Sequence, residues 1–367
     1  MSSFFGRGYS DNLKYICNEL ENKNFDIGWV VNSDEEAKTL PKFVKPILKN
    51  SIKYIYYLAT SNIWIDNCRK SFFYKKKKQF YIQTWHGGGA QKKCEADVID
   101  KLGKGYVKCA IKDAKNVDLM ISESGFMTKL YFSSFWYNGY VYQCGYPRYD
   151  ILLKNNIEIK NKVYDYYNID YDKKILLYAP TFRCDNSFEA YNIDLKRLQN
   201  NLFVKYKKRF VILVHLHPNV ANKNNYFKYD GINIINSTFY PDTQELLIAG
   251  DMLIGDYSSI NYDFALQKKP VIRYANDLEE YMDDRGTYFD FEEYPYPFAR
   301  NNDELENLIL NFDEKKYLHA LELFFDKLEF VPNFNSSKDI ANLIVDYIAI
   351  KNKKKFFKKY STIFIYK

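Results

Sequence analysis

Short apolar runs alternate with amphipathic stretches along the first half of the chain. In NLKYICNEL, residues 12–20, Leu13, Ile16, Cys17 and Leu20 recur at helical spacing and predict one apolar helix face. FDIGWVV (25–31) predicts a buried strand, and SIKYIYYLATSNIWI (51–65) a helix followed by a strand. QFYIQTW (79–85) predicts a strand that runs into three consecutive glycines. VDLMIS (117–122) reads as a strand, ESGFMTKLYFSSF (123–135) as a helix, and YVYQCGYP (140–147) as a strand entering a turn. A polar, lysine-rich break covers 154–174, after which the pattern restarts. Strands are predicted at KILLYAPTF (174–182), RFVILVHLHP (209–218), GINIIN (231–236), DMLIGD (251–256) and KPVIRYA (269–275), with helices at TQELLIAG (243–250) and SSINYDFALQ (258–267).

Strands alternating with helices predict an α/β fold with parallel sheets. Two such halves imply two Rossmann-like domains with a cleft between them. The expected division is 1–155, 156–335 and a helical, basic-aromatic segment at 336–367. In open α/β sheets ligands bind beyond the carboxyl ends of strands, and the unusual residues of this chain cluster at such ends. Length supports the division, since 367 residues exceed one compact core of usual size. The net charge of +7 is mild and argues against nucleic acid as a partner. The six cysteines, Cys17, Cys68, Cys94, Cys109, Cys144 and Cys184, form no CxxC pair, which disfavours zinc and fits a reduced, cytoplasmic compartment. The opening MSSFFGRGYSDN lacks the apolar segment of a signal peptide, and no run of 18 apolar residues predicts a membrane span.

Five strand-end stretches carry candidate chemistry. In QTWHGGGAQKK, His86 precedes Gly87, Gly88 and Gly89. Bare backbone there lets an oxyanion approach closely, and a neutral imidazole takes a proton near pH 7; a plain glycine-rich turn is the competing reading. GYPRYD (145–150) offers Arg148 either to a phosphate or to Asp150. In YAPTFRCD (178–185), Thr181, Phe182 and Arg183 leave the strand at its carboxyl end. VHLHPN (214–219) places His215 and His217 on one side if the strand stays regular. That spacing also suits a metal, but no carboxylate or cysteine lies close in sequence, so no metal site is assigned. In DYSSINYDFAL (256–266), Ser258 and Ser259 start a helix, as an ordinary N-cap or as an anion site, with Asp263 one turn on. Together these groups suit transfer of a phosphorylated group from a diphosphate donor, with positioning and charge neutralisation supplying most of the catalysis.

The ordered set SFFGRGYSDNLKY, QTWHGGG, GYPRYD, YAPTFR, HLHP, IGDYSSINYDFAL and KKPVIRYANDLEEYMDDRGTYFDF resembles the CDP-glycerol glycerophosphotransferase family, which contains teichoic acid primases and polymerases. The resemblance covers nearly the whole chain. It implies a GT-B-type fold with a C-terminal helix crossing back to the first domain. It also implies attack of an acceptor hydroxyl on the β-phosphorus of CDP-glycerol with release of CMP. By the family's pattern His86 is the base, His217 stabilises or protonates the phosphate, and Arg148, Thr181, Arg183, Ser258, Ser259 and Asp263 hold the donor. His215 stands where members often carry arginine. Where members have His-Gly-Thr-Pro, this chain has His86-Gly87-Gly88-Gly89, which alters the acceptor side. The long N-terminal extension of the larger polymerases has no counterpart here, so capsule or other surface-glycan decoration is implied as readily as teichoic acid synthesis.

Other readings compete. One is CDP-ribitol or another CDP-polyol as donor, another a GT-B glycosyltransferase using a nucleotide sugar, and a third a non-catalytic membrane-associated binding protein. No carboxylate cluster resembles a dedicated Mg²⁺ cage, and a divalent cation such as Mg²⁺ riding on the diphosphate stays open. The tail KNKKKFFKKYSTIFIYK mixes lysines with Phe356, Phe357, Ile363 and Phe364, which predicts contact with an anionic membrane surface on the inner face of the cell membrane.

Overall fold

The structure, a computed structural model, describes residues 1–70, 74–154, 156–181, 191–216, 227–284 and 286–366. The chain forms two compact units. Unit 1 takes Met1–Gly87, Cys94–Asp150 and Leu328–Lys367, and unit 2 takes Gly88–Lys93 and Ile151–Lys327. The expected division fell at 155/156, and the units part at Asp150 and Ile151. Six residues of the glycine-rich segment are counted with unit 2, because their neighbours lie there.

Unit 1 opens with α1 (Asp11–Glu19), β1 (Ile27–Val31), α2 (Asp34–Lys38), β2 (Val44–Leu48), α3 (Ile52–Thr60), β3 (Ile63–Asp66) and β4 (Phe80–Gln83). It continues through α4 (Lys104–Ala114), β5 (Leu119–Ser122), α5 (Gly125–Ser134) and β6 (Tyr140–Gln143). Strands β3 to β6 pair in parallel in that order. β1 and β2 form a separate parallel pair, tied to β3 through Ser2, whose amide donates to the Ile65 carbonyl. β4 and β5 are buried along their whole length, as strands covered on both faces are. The apolar face expected of α1 is buried, with Leu13, Ile16, Cys17 and Leu20 at 2% exposure or less.

Unit 2 contains α6 (Ile157–Tyr166), β7 (Lys174–Tyr178), α7 (Leu195–Tyr206), β8 (Phe210–Val214), β9 (Ile234–Asn236), α8 (Thr243–Ala249) and β10 (Met252–Gly255). Then follow α9 (Ile260–Ala265), β11 (Val271–Tyr274), α10 (Leu278–Asp284), β12 (Phe298–Ala299), α11 (Asn302–Leu310) and α12 (Glu314–Leu328). Its parallel sheet runs β12-β11-β10-β7-β8-β9. β7 comes first in the chain and has β8 on one side and β10 on the other, so the strand order reverses between β7 and β10. That reversal is the topological switch point at which such sheets bind ligands. Helix α6 occupies the polar break read from sequence. Only Val163 and Tyr164 of it are buried, a stripe too narrow to show as a helical period.

The chain re-enters unit 1 at Leu328 and adds α13 (Ser336–Ile350), α14 (Lys353–Lys359) and β13 (Ile365–Tyr366). Asp150 receives the Ser336 and Ser337 amides at the start of α13, at 3.0 and 2.9 Å, which anchors the helix where charge favours an acid. The tail departs from the expected membrane-facing aromatic helix. Phe356 is fully buried against Phe80 and Tyr347, Phe357 stacks on Tyr140 at 3.9 Å, and Phe364 is buried as well. β13 pairs antiparallel with β6 and covers that edge. The three phenylalanines are therefore taken up in packing, whereas Ile363 and Tyr366, 48 and 61% exposed, and the lysines around them face outward. Among the described residues no helix is long and apolar enough to cross a membrane.

Candidate active site

In unit 1 the chemistry gathers where β4 ends. Trp85 has φ of 56°, an outlier for a bulky residue, and turns the chain out of the strand. The turn is held from several directions. The Trp85 amide donates to Gln83 Oε1 at 2.9 Å, and its carbonyl accepts from Asn12 Nδ2 at 3.1 Å and from the Thr84 hydroxyl at 3.0 Å. Its ring meets Phe135 edge-on and lies beside the Arg69 guanidinium. Strain held this firmly is characteristic of functional sites.

His86, next along, is half-buried. Its Nδ1 lies 2.6 Å from the Asn67 carbonyl. A carbonyl only accepts, so Nδ1 carries the proton and Nε2 is the basic nitrogen of the neutral ring. Cys68 Sγ is 3.8 Å from Nδ1, and Phe4 and Trp85 flank the ring. Burial pushes the Cys68 thiol well above its ordinary pKa, so it stands there as a neutral neighbour. The Tyr146 hydroxyl donates to the Gly87 carbonyl at 3.1 Å and fixes the peptide between Gly87 and Gly88.

Arg148, expected on the donor, is 2% exposed. Its Nη1 donates to Asp11 at 3.0 Å, its Nη2 to the Tyr149 hydroxyl at 3.3 Å, and its guanidinium lies 5.0 Å from the ring centres of both Tyr146 and Tyr149. The same Asp11 accepts from Asn67 Nδ2 through its other oxygen. Arg148 is thus tied into the support of His86.

In unit 2 the focus is the switch point. Asp256, directly after β10, is buried. It accepts from the Thr181 amide at 2.8 Å, from the Thr181 hydroxyl, and from the Tyr257 amide at 2.6 Å. The end of β7 is thereby clamped to the end of β10. Thr181 is engaged through amide and hydroxyl alike. Ser259 sits at the N-cap of α9 and makes no capping bond, whereas the Ser258 hydroxyl accepts from the Ile260 amide at 3.4 Å. Asp263 is buried one turn into the helix. Tyr257 stacks on Tyr281 at 3.6 Å and donates to Asp277 at 2.8 Å, so the Asp-Tyr-Ser-Ser and Asp-Leu-Glu-Glu-Tyr stretches support one another physically.

His215 follows β8. Its Nδ1 donates to the Ser237 carbonyl at 2.8 Å, and its Nε2 is 3.2 Å from the Thr243 hydroxyl. With both ring nitrogens so engaged, it ties β8 to the β9–α8 turn; reaching a donor through the ring requires breaking one of these bonds. Gly89 has φ of +66°, and a Cβ there would lie 2.2 Å from Tyr262 Cγ. This glycine answers to the tyrosine of α9 whatever else it serves. Tyr294 donates from its hydroxyl toward the carbonyls of Ala90 and Gln91, at 2.7 and 2.8 Å. Gly88 is buried beside it. Phe182, Arg183 and His217 lie outside the described residues. Among those described, no cluster of three or more His, Cys, Asp or Glu could hold a metal ion.

The histidine read from sequence is accompanied by residues to which the sequence assigned no role: Asp11, Asn12 and Asn67 in unit 1, and Asp256 in unit 2. The first two sit inside the Tyr-Ser-Asp-Asn stretch and Asp256 inside the serine motif, so their motifs were visible and their partners were not.

The sequence model of the CDP-glycerol:poly(glycerophosphate) glycerophosphotransferases matches residues 1–346. The chain belongs to that family. It is similar to the teichoic acid poly(glycerol phosphate) polymerase of Bacillus spizizenii, with 32% identity over 358 residues, 92% of this chain and 89% of that one. It is 30% identical over 362 residues to the teichoic acid glycerol-phosphate transferase of Staphylococcus aureus, covering 93% of this chain and 91% of that one. It spans about half of other relatives, 48% of the Bacillus subtilis poly(glycerol phosphate) polymerase at 30% identity over 356 residues, 93% of this chain. The structure of the wall teichoic acid polymerase TagF superposes with a TM-score of 0.83 at 29% identity, over 95% of this chain and 88% of that one. The chain thus has the GT-B fold expected from its sequence. TagF has also been solved as a histidine variant soaked with CDPG, which superposes with a TM-score of 0.82 at 28% identity over 95% of this chain and 88% of that one.

Proposed function

We propose that the chain transfers glycerol phosphate from CDP-glycerol to a hydroxyl of a surface-glycan or lipid-linked acceptor. The observation that carries this reading is the tautomer of His86, whose Nδ1 is committed to the Asn67 carbonyl, leaving Nε2 as the base. In the step proposed, Nε2 takes the proton of the acceptor hydroxyl as that oxygen bonds to the β-phosphorus. The bond from the β-phosphorus to the oxygen bridging it to the α-phosphate breaks, and CMP leaves with that oxygen. Ser258 and Ser259, at the switch point clamped by Asp256, hold the donor's phosphates, with Arg183 and His217 as further donor contacts. Glycerol is favoured over ribitol because the poly(glycerol phosphate) relatives match more of the chain, 92% against 87% for a Bacillus spizizenii poly(ribitol-phosphate) polymerase.

The reaction is placed peripherally on the inner face of the cell membrane, where a lipid-linked acceptor lies. The support is the outer face of α3, on which Ile52, Ile55 and Tyr56 are 88, 62 and 61% exposed among lysines.

The test is CMP release from CDP-glycerol, CDP-ribitol and nucleotide sugars in the presence of a lipid-linked acceptor. CMP is expected from CDP-glycerol, and His86→Ala is expected to slow it by roughly 100-fold or more, the range for a lost general base. Release of UDP or GDP from a sugar donor, with none of CMP from any CDP-alcohol, overturns the proposal.

A further inference from the structure

Four buried polar residues surround the support of His86, and their partners form one connected set. Asn67 presents its backbone carbonyl to His86 Nδ1 at 2.6 Å. Its side chain is fixed at both ends, the carbonyl oxygen accepting from the Phe4 amide at 2.8 Å and the Nδ2 donating to Asp11. Asp11 has φ of 59° and is held in turn by Arg148 Nη1 at 3.0 Å. Asn12 accepts from the Arg148 amide at 3.2 Å and donates to the Trp85 carbonyl at 3.1 Å, directly before the histidine. Asn12 and Asn67 are fully buried, and Asp11 and Arg148 nearly so. The Arg148 side chain thus engages Asp11, Tyr149 and the faces of two tyrosine rings.

We infer that Asp11 and Arg148 are positioning residues: their buried ion pair holds Asn67 so that its carbonyl selects the Nδ1-protonated tautomer of His86, and Arg148 acts on the base rather than on the donor. This rests on the reading of His86 as the base. A carbonyl acceptor orients a histidine and fixes its tautomer. A charged pair with little water around it holds its geometry against thermal motion better than a neutral contact does. The left-handed φ of Asp11 is a conformation aspartate adopts more readily than most non-glycine residues, and its side chain is held there by Arg148 and Asn67.

The experiment compares wild type with Asp11→Asn, Arg148→Gln and the double variant in steady-state CMP release from CDP-glycerol, with ¹⁵N spectra of the histidine rings recorded on the same samples. The His86 resonances are assigned by their loss in His86→Ala. Expected are a kcat lowered by roughly 10-fold or more in each single variant, a KM for CDP-glycerol within about 2-fold of wild type, and a His86 spectrum shifted toward a mixture of tautomers. The double variant is expected to be no slower than the worse single one, because both substitutions break the same link. A rise in KM for CDP-glycerol with kcat and tautomer unchanged in Arg148→Gln overturns the inference and returns Arg148 to the donor. If Arg148→Gln does not fold, Arg148→Lys and Asp11→Glu carry the same two readouts, and an unchanged tautomer in both overturns it equally. Full activity in His86→Ala instead removes the reading of His86 as the base, so the two failures are distinguishable.

Discussion

At the scale of the residue, two glycines of one triplet have different reasons to exist. Gly87 leaves a methyl group little room, its nearest prospective contact being Trp85 Nε1 at 3.3 Å, a distance the ring must relieve by a few tenths of an ångström. Gly89 has none, since a Cβ would overlap Tyr262 and the backbone sits in the left-handed region. Left-handed backbone costs an ordinary residue about 1–2 kcal/mol, and overpacking adds about 1–3 kcal/mol. Gly89→Ala is therefore expected to lower the thermal midpoint by several degrees, and Gly87→Ala, which meets only the Trp85 ring, to lower it less. Differential scanning calorimetry of the two variants checks this, and equal midpoints would show that Tyr262 gives way. The sequence reading, in which the glycines admit an oxyanion, does not separate the two positions. The steric reason for Gly89 lies 173 residues further along the chain at Tyr262, where no local pattern could reveal it.

At the scale of the element, the legible parts are those whose apolar residues form runs or stripes. β7, β8 and β10 are continuous apolar stretches buried on both faces, and α1 has a single apolar face. Elements defined by a partner were not legible. β13 is two residues long and exists through its pairing with β6, and α6 buries too little to show a period. The same holds for the site. His86 stood out beside its glycines, but the Arg148–Asp11 pair spans 137 residues of sequence and the Thr181–Asp256 clamp spans 75. A half-buried lysine at the end of α8 gives a test at this level. Lys269 donates to the carbonyls of Ile248 and Gly250 at 2.8 and 2.7 Å, closing the C-terminus of that helix. Burial lowers its pKa from 10.5 to about 8. Between those values the folded chain holds a neutral amine while the unfolded chain holds a proton, so raising the pH favours the folded state. Below pH 8 both states are protonated and the contribution stops changing. Urea unfolding is expected to show wild type gaining on the order of 1–3 kcal/mol relative to Lys269→Met between pH 8 and 10. A constant difference over that range would mean that the ammonium is solvated in the fold.

At the scale of the whole molecule, the proposed membrane contact calls for an exposed apolar surface edged by lysines, and unit 1 presents one. Ile52, Ile55 and Tyr56 project from α3 with Lys53 among them, and all are exposed. The lysine run that follows lies beside this helix, because Gln79 Nε2 donates to the carbonyls of Leu58 and Ser61 at its C-terminus, at 2.7 and 2.8 Å. Tyr347 of α13 donates to the Lys78 carbonyl at 3.1 Å, and Lys75 and Lys353 share Asp118 at 2.5 and 2.7 Å. Two basic stretches, the 75–78 run and the segment at Lys353, thus meet near the C-terminal end of α3. Each lysine near an anionic surface contributes about 1 kcal/mol, and burying an isoleucine side chain about 1.5–3 kcal/mol. Replacing Ile55 and Tyr56 by glutamate removes apolar contact and adds repulsion, so the double variant is expected to sediment at least 10-fold less with phosphatidylglycerol vesicles. Binding to neutral phosphatidylcholine should be weak before and after. Removing 351–367 does not isolate the same effect, since it takes away lysines but also uncovers Phe80, Tyr140 and the edge of β6, and is expected to lower the thermal midpoint as well. The surface glutamates leave that packing untouched, and full vesicle binding by a folded Ile55→Glu, Tyr56→Glu protein would exclude α3 as the contact.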